Sequence, residues 1–505
     1  MKQSAEDRAL YYRQLRRTIA TVCAPELTSA TAKDAAGLVD RILAEFVVEE
    51  EWAPALSQEF GAEFEALLDL SGDGDDSDGD GDGDGGGGSA VTPERFVELR
   101  RLAADDVADK AGSDDPAERA QCRRLVDVER RFLERVDELR QIVLGEEFTP
   151  DASASPTESS VTQEQLQAYF RRRFPDSPDL RVTQLDVVPG GRSKETLLVS
   201  LAGTSELPTQ VIVRKDRPVG LLATKASDEF AILRAVHDHG GVPVAQPLFA
   251  DDAKNVGGDL EESGTLVVME RVRGEKAGEY FPEIAAPPEE YRFAIGTQLA
   301  TALAHLHAVP LDTLARTGLD LDAQVNEASL SAAVNGMAAR IAELSGPPIA
   351  AVPMARQWLL DHMDDVVPSG PLSLLQGDFG LHNTLVDGER VTALVDWEAA
   401  TIGPASRELA AAWPAATALM EWPEFIGAYC AAGGASEATD EWAVMYYRVF
   451  FGLGACMSSR TGGHLFRTGD KRDLLTAHSG LDAHFRAQRN LVRALADAED
   501  LTGGD

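Results

Sequence analysis

The stretch LLQGDFGLHNTLVDGERVTALVDWE, residues 374–398, constrains this chain more than any other. Thr384-Leu385-Val386 reads as a short strand, Asp387-Gly388 is a strong turn signal, and Val391-Thr392-Ala393-Leu394-Val395 reads as the returning strand. Two strands joined by an Asp-Gly turn must lie side by side, so the return delivers Asp396 next to the loop that carries Asp378 and Asn383. Asp378 precedes Asn383 by five positions, and Asp396 follows Asn383 by thirteen. Two carboxylates and an amide, hard oxygen ligands of the kind Mg2+ takes, are thereby brought to one place. Such a set suits chemistry done by positioned metal and charge more than by a covalent nucleophile.

An Asp-Gly turn between apolar strands is also common in proteins with no such site, so the order of the upstream segments matters. LDVVPGGRSKETLLVSL (185–201) reads as strand, Pro-Gly-Gly turn, strand. Glycine there lets backbone N–H groups approach a phosphate, which makes Gly190 and Gly191 candidates, with Ser193 as an added donor. QVIVRKD (210–216) reads as a buried strand ending in two cations, Arg214 and Lys215. Alternation puts these on opposite faces, so only one can meet a phosphate, and the register favours Arg214. SDEFAILRAVHDHGG (227–241) reads as a helix with a Gly-Gly stop, and Glu229 lies in its first turn, where the macrodipole favours an acid with or without a partner. GTLVVMERVRGE (264–275) supplies a strand through Met269-Glu270-Arg271-Val272, and His307 in LATALAHLHAVP (299–310) reads as a packed or capping histidine.

Taken in this order, the segments resemble the aminoglycoside phosphotransferase/choline kinase-like family, whose loop HGDxxxxN and following DWE or DWG are matched by residues 374–410. The resemblance runs from about Val161 to about Leu475 and is closest to the branch of kinase domains joined to acyl-CoA dehydrogenases. It implies an α+β, two-lobed protein-kinase-like fold with a small β-rich lobe and a large helical lobe. It also implies transfer of the ATP γ-phosphoryl group, with Mg2+, to a hydroxyl of a small molecule: an antibiotic, a hydroxyacyl compound, an amino alcohol or a sugar. On the family's plan Asp378 is the base or hydroxyl-orienting group, and Asn383 and Asp396 hold the metal. Gly190, Gly191, Ser193, Arg214 or Lys215, and Glu229 form the nucleotide side, while Met269, Glu270 and Val272 form a hinge that meets the purine. The chain departs from that plan at Gln376, where the family has His, at Gly403-Pro404-Ala405 in place of GDP, and at Glu408 in place of the Asp of DLA. Arg214 and Gln376 keep an alternative open, a catalytically weak nucleotide-binding scaffold acting through its N-terminal helices. The acceptor pocket is expected within 411–480, with Trp413, Tyr446, Tyr447, Phe450 and Phe451 as lining candidates, although an aromatic stripe on a helix more often packs in a core.

A helical N-terminal domain is expected over 1–148, from apolar positions spaced by three or four in RALYYRQLRRTIATV, DAAGLVDRILAEFV and RRLVDVERRFLERVDELRQIVL. It is interrupted by SGDGDDSDGDGDGDGGGGS (71–89), in which a calcium-loop register from Asp76 fails at its twelfth position, Gly87, where Glu is required. That tract reads as an acidic linker, and TPDASASPTESS (149–160) as a second one, ahead of a small lobe at 161–272 and a large lobe at 273–505. A net charge of -37 disfavours nucleic acid and anionic membrane as partners. The polar start, the lack of a long apolar run, and Cys23, Cys122, Cys430 and Cys456 without metal-like spacing lead to the expectation of a soluble, cytoplasmic protein. Its N-terminal helices are candidates for binding a protein partner or a second copy.

Overall fold

The computed structural model describes residues 30–69, 91–145, 161–188, 194–216, 225–252, 265–283, 285–321, 325–344, 349–366, 372–468, 474–480 and 482–501, with isolated positions before residue 30. The turn holding Gly190, Gly191 and Ser193, the acidic tract at 71–89 and the segment 149–160 lie outside the described residues.

Three helices come first: α1 (Ala30–Leu67), α2 (Pro93–Lys110) and α3 (Pro116–Leu144). Local chemistry sets where the last two begin. Thr92 accepts from the Arg95 N–H and Asp115 from the Ala117 N–H, each followed by a proline whose missing donor is harmless in a first turn. Along α3, Leu125, Val128, Phe132, Val136, Leu139 and Val143 are buried at helical spacing.

The small lobe starts with α4 (Gln163–Arg173), capped by Thr162 in a reciprocal box with Gln165. Strands β1 (Arg181–Val188), β2 (Lys194–Ala202) and β3 (Gln210–Asp216) follow, then helix α5 (Ala226–His239), β4 (Pro247–Asp251) and β5 (Leu266–Glu270). They form one antiparallel sheet in the order β1-β2-β3-β5-β4. Strand alternation divides its side chains between two environments. Leu197, Val199, Leu201, Val211 and Val213 pack with Leu166, Tyr169 and Phe170 of α4. Ile212, Val267 and Met269 join Ile232 and Leu233 of α5 in the larger core.

The large lobe comprises β6 (Glu275–Lys276), α6 (Glu289–His307), α7 (Glu327–Glu343), α8 (Ala351–Asp361), β7 (Leu372–Leu375), β8 (Thr384–Asp387), β9 (Arg390–Leu394) and β10 (Thr401–Pro404). It continues through α9 (Ala405–Leu419), α10 (Trp422–Ala431), α11 (Glu441–Thr468), α12 (Leu474–Gly480) and α13 (Asp482–Leu501). The expected hairpin is β8 and β9, closed over Gly388 at φ 59°. The α+β, two-lobed arrangement expected from the sequence is therefore present.

The N-terminal helices pack directly on the large lobe, α3 against α13, α1 against α12 and α2 against α8, within one continuous apolar cluster. Charges stitch the same seam: Asp137 of α3 takes Arg489 and Arg486 of α13, and both arginines also reach Glu283 ahead of α6. Of the two readings of the aromatic stripe, core holds for Tyr446 and Tyr447, which are fully buried, and the Trp413 ring is covered by the Arg448 guanidinium at 3.7 Å. Among the described residues no helix is long and apolar enough to cross a membrane.

Candidate active site

Strand β7 ends at Leu375, and the residues that follow are held by an acid from below. The Glu408 carboxylate, at the start of α9, accepts from the N–H groups of Gln376 and Gly377. Burial pushes that carboxyl up to about 7, against the pull of the two N–H groups and Arg407. Gly377 sits at φ 84°, and a Cβ there would meet the Ala399 carbonyl oxygen at 2.1 Å, so only glycine fits.

Gln376 then ties the loop to the far end of the hairpin. Its Nε2 donates to the carbonyls of Val395 (3.1 Å) and Asp396 (2.7 Å), while its Oε1 accepts from the Asp378 N–H at 2.9 Å. One amide thus bonds three backbone groups, something a carboxylate cannot do because it has no donor. The departure from histidine keeps the loop braced.

Asp378 Oδ2 accepts from Asn383 Nδ2 at 2.9 Å and lies 3.2 Å from His382 Nε2. Asn383 Nδ2 also donates to the Asp378 carbonyl at 2.9 Å, which commits its donor and leaves Oδ1 as the atom that could face a cation. Across the hairpin the Val395 N–H reaches the Asn383 carbonyl at 2.9 Å, bringing Asp396 to the same edge. Asp396 has φ 63°, a left-handed backbone that non-glycine residues seldom hold, and strain of this kind concentrates at functional sites. Its Oδ1 accepts from Arg214 Nη2 at 3.4 Å.

Arg214 meanwhile donates through Nη1 to Glu229, and the Trp397 N–H approaches the same Glu229 oxygen at 3.4 Å. Burial raises the Glu229 carboxyl above its ordinary range, with Arg214 and Lys194 pulling against it. Burial opposes the charge on Arg214 too, but Glu229 and Asp396 hold its pKa above the usual value. Lys215 stands on the other face of the sheet, 3.5 Å from Glu195. The structure thus brings Arg214, Glu229, Asp378, Asn383 and Asp396 to the junction of the lobes and leaves Lys215 outside it. Met269 and Glu270 end β5, with Val272 beyond it, and the Glu270 N–H bonds the Gln246 carbonyl at 2.9 Å.

Two residues of this site escaped the sequence reading. His382 stands beside Asp378, and Lys194 lies 3.8 Å from Glu229 and 3.7 Å from Glu398. Alternation could have found Lys194, because it is two positions from Thr196, the cross-strand neighbour of Arg214. His307, expected as a packed histidine, is one: its Nδ1 lies 2.9 Å from the Tyr429 hydroxyl, and burial pushes it down to about 3.

Among the described residues no group of three His, Cys, Asp or Glu side chains stands where it could hold a metal. Mg2+ does not need one, since it takes one or two protein oxygens and completes its shell with water and phosphate. Asn383 Oδ1 and the half-exposed Asp396 carboxylate fit that demand.

The sequence profile described as "Phosphotransferase enzyme family" matches residues 185–446, from β1 into α11. Acyl-CoA dehydrogenase family member 11 of Homo sapiens is 26% identical over 270 residues, covering 48% of this chain and 32% of the human one. The Rattus norvegicus protein is 25% identical over 341 residues, covering 62% and 41%. The chain thus spans well under half the length of these curated relatives. Among solved structures, macrolide 2'-phosphotransferase MphH from Brachybacterium faecium is 20% identical, with TM-score 0.44, covering 63% of this chain and 97% of that one. The GDP complex of aminoglycoside 2'-phosphotransferase-IIIa is 14% identical, with TM-score 0.45, covering 67% and 99%. The profile takes in over half of the residues and both arms of the hairpin, and the chain belongs to the phosphotransferase enzyme family.

Proposed function

We propose that this protein transfers the γ-phosphoryl group of ATP, with Mg2+, to a hydroxyl of a small molecule. The observation that carries this reading is the state of Asp378: Oδ2 is occupied by Asn383 and His382, which leaves Oδ1 to receive the acceptor's hydroxyl. As the oxygen–phosphorus bond forms, the hydroxyl proton passes to Asp378 Oδ1 and the bond from the γ-phosphorus to the ADP oxygen breaks. Positioning dominates such a step, so what Asp378 does first is orient the hydroxyl. Asn383 Oδ1 and Asp396 would hold Mg2+, which supplies charge neutralisation at the phosphates when bound. Arg214 and Glu229 aim Asp396 from the nucleotide side.

A hydroxyacyl compound is the acceptor to try first, since the curated relatives carry acyl-CoA dehydrogenase in their name. Antibiotics, amino alcohols and sugars follow. Against the scaffold alternative, the three backbone bonds of Gln376 support a loop held as the transfer reading needs. Calorimetric titration of the full chain with Mg·ATP tests the proposal. Binding that is lost in Asp396→Ala, together with slow ATP hydrolysis that is lost in Asp378→Asn, supports it. Wild-type protein that does not bind Mg·ATP overturns it.

A further inference from the structure

Two cations share the cleft-side face of the small-lobe sheet, and they are engaged differently. In the β2–β3 register Thr196 lies opposite Arg214 and Lys194 opposite Asp216, so Lys194 and Arg214 are diagonal neighbours on one face. Arg214 has both terminal nitrogens committed, Nη1 to Glu229 and Nη2 to Asp396, and its planar fork cannot turn toward a third group without breaking one of these pairs. Lys194 is different. It is buried, and its ammonium stands between the second oxygen of Glu229, 3.8 Å away, and Glu398, 3.7 Å away.

Charge balance calls for a second cation here, since three carboxylates share the face, but it does not dictate a lysine. The face carries Arg214 and Lys194 against Glu229, Asp396 and Glu398, so a second cation has been buried at a place where burial is costly. An ammonium on a flexible stem keeps its attraction to two carboxylates over a small displacement, and it can rotate a donor toward a phosphate oxygen while doing so. Glu398 belongs to the segment that follows Asp396, so Lys194 is anchored to the part of the large lobe that would hold the metal.

We propose that Lys194, at the start of β2, is the lysine that grips the phosphates of the nucleotide, and that Arg214 serves as the strut aligning Glu229 with Asp396. The third strand then carries the strut and the second strand the grip. This rests on the nucleotide-binding reading above.

The test is calorimetric titration of the full chain and its Lys194→Met and Lys194→Arg variants with Mg·ATP, Mg·ADP and adenosine. Lys194→Met is expected to weaken Mg·ATP and Mg·ADP by about 30-fold, the scale of one charge-assisted phosphate contact, with adenosine changed by less than about 3-fold. Lys194→Arg is expected to recover most of that loss. Should Lys194→Met not fold, Lys194→Met/Glu398→Gln removes the carboxylate left without its cation and is read in the same way. Wild type that binds Mg·ATP beside a folded Met variant of equal affinity overturns the role of Lys194 alone. Equal weakening of adenosine and Mg·ATP also overturns it, since that marks collapse of the site. Wild type that binds no Mg·ATP overturns the underlying reading instead.

Discussion

Two buried arginine–glutamate pairs in this molecule look alike on paper and serve different ends. Arg140 of α3 donates through Nε (2.8 Å) and Nη2 (2.6 Å) to Glu45 of α1, both side chains 1% exposed, and its guanidinium lies 5.4 Å from the Phe485 ring of α13. Three helices meet there and the charges are enclosed. Arg214 and Glu229 pair at the lobe junction, where Arg214 also reaches a strained Asp396 and a second cation, Lys194, approaches Glu229. A buried ion pair is by itself weak evidence for either stability or function. Surplus charge does not separate them, since Arg140 Nη1 also lies 3.5 Å from Asp137; what does is backbone strain, present at Asp396 beside the second pair.

The largest effect comes from a change that leaves both pairs intact. Asp378→Asn is expected to lower kcat by about 10^3-fold while the melting midpoint moves by less than about 2 °C, since a half-exposed base is removed without opening a cavity. A coupled assay of ADP release beside a thermal melt reads both, and activity kept within tenfold would falsify the assignment of Asp378. Arg140→Met comes next: the buried Glu45 carboxylate loses both Arg140 hydrogen bonds, and urea unfolding should show a loss of about 4 kcal/mol with the Mg·ATP affinity of the folded protein unchanged. Arg214→Met should destabilise less, by about 1–2 kcal/mol, because Lys194 still faces Glu229, yet it should lower kcat by about 10^2-fold by releasing Asp396. Equal stability losses at positions 140 and 214 would erase the distinction.

How far these regions could be read in advance follows from how local their causes are. The β8–β9 hairpin was legible because Asp387-Gly388 sets a turn within a few residues, and Arg214 was separated from Lys215 by strand alternation alone. Alternation puts Lys194 on the face of Arg214, but its pairing with Glu398, some two hundred positions away, is announced by no local pattern. His382 was passed over inside a motif whose other members carry the attention. The seam between α3 and α13 was hidden too, since an apolar helix stripe does not say what covers it, and here the large lobe does. For Tyr446 and Tyr447 the pattern had two readings, pocket or core, and packing chose core.

The smallest effect concerns two buried ionisable groups whose pH dependences oppose each other, Glu408 beneath the loop that carries Asp378 and His307 in the α6–α10 core. Burial holds His307 down to about 3 from 6.5, so its neutral form contributes stability that is present above 6.5 and is lost as pH falls toward 3. Burial holds Glu408 up to about 7 from 4.5, so its contribution is present below 4.5 and is lost as pH rises through 7. Between 4.5 and 6.5 the unfolded chain binds one proton more at His307 and one fewer at Glu408, so the two slopes cancel. Replacing either group exposes the other: relative to wild type, stability in His307→Gln should fall by about 1.4 kcal/mol per pH unit as pH rises across that window. Glu408→Gln should show the opposite slope, and it should also lower kcat about tenfold, because a side-chain amide can accept only one of the two N–H groups that position the loop. His307→Gln should leave kcat alone. Urea unfolding at half-unit pH steps, with kcat measured on the same preparations, tests whether burial serves the site in one case and the core in the other, and a shared loss of activity would show that it does not.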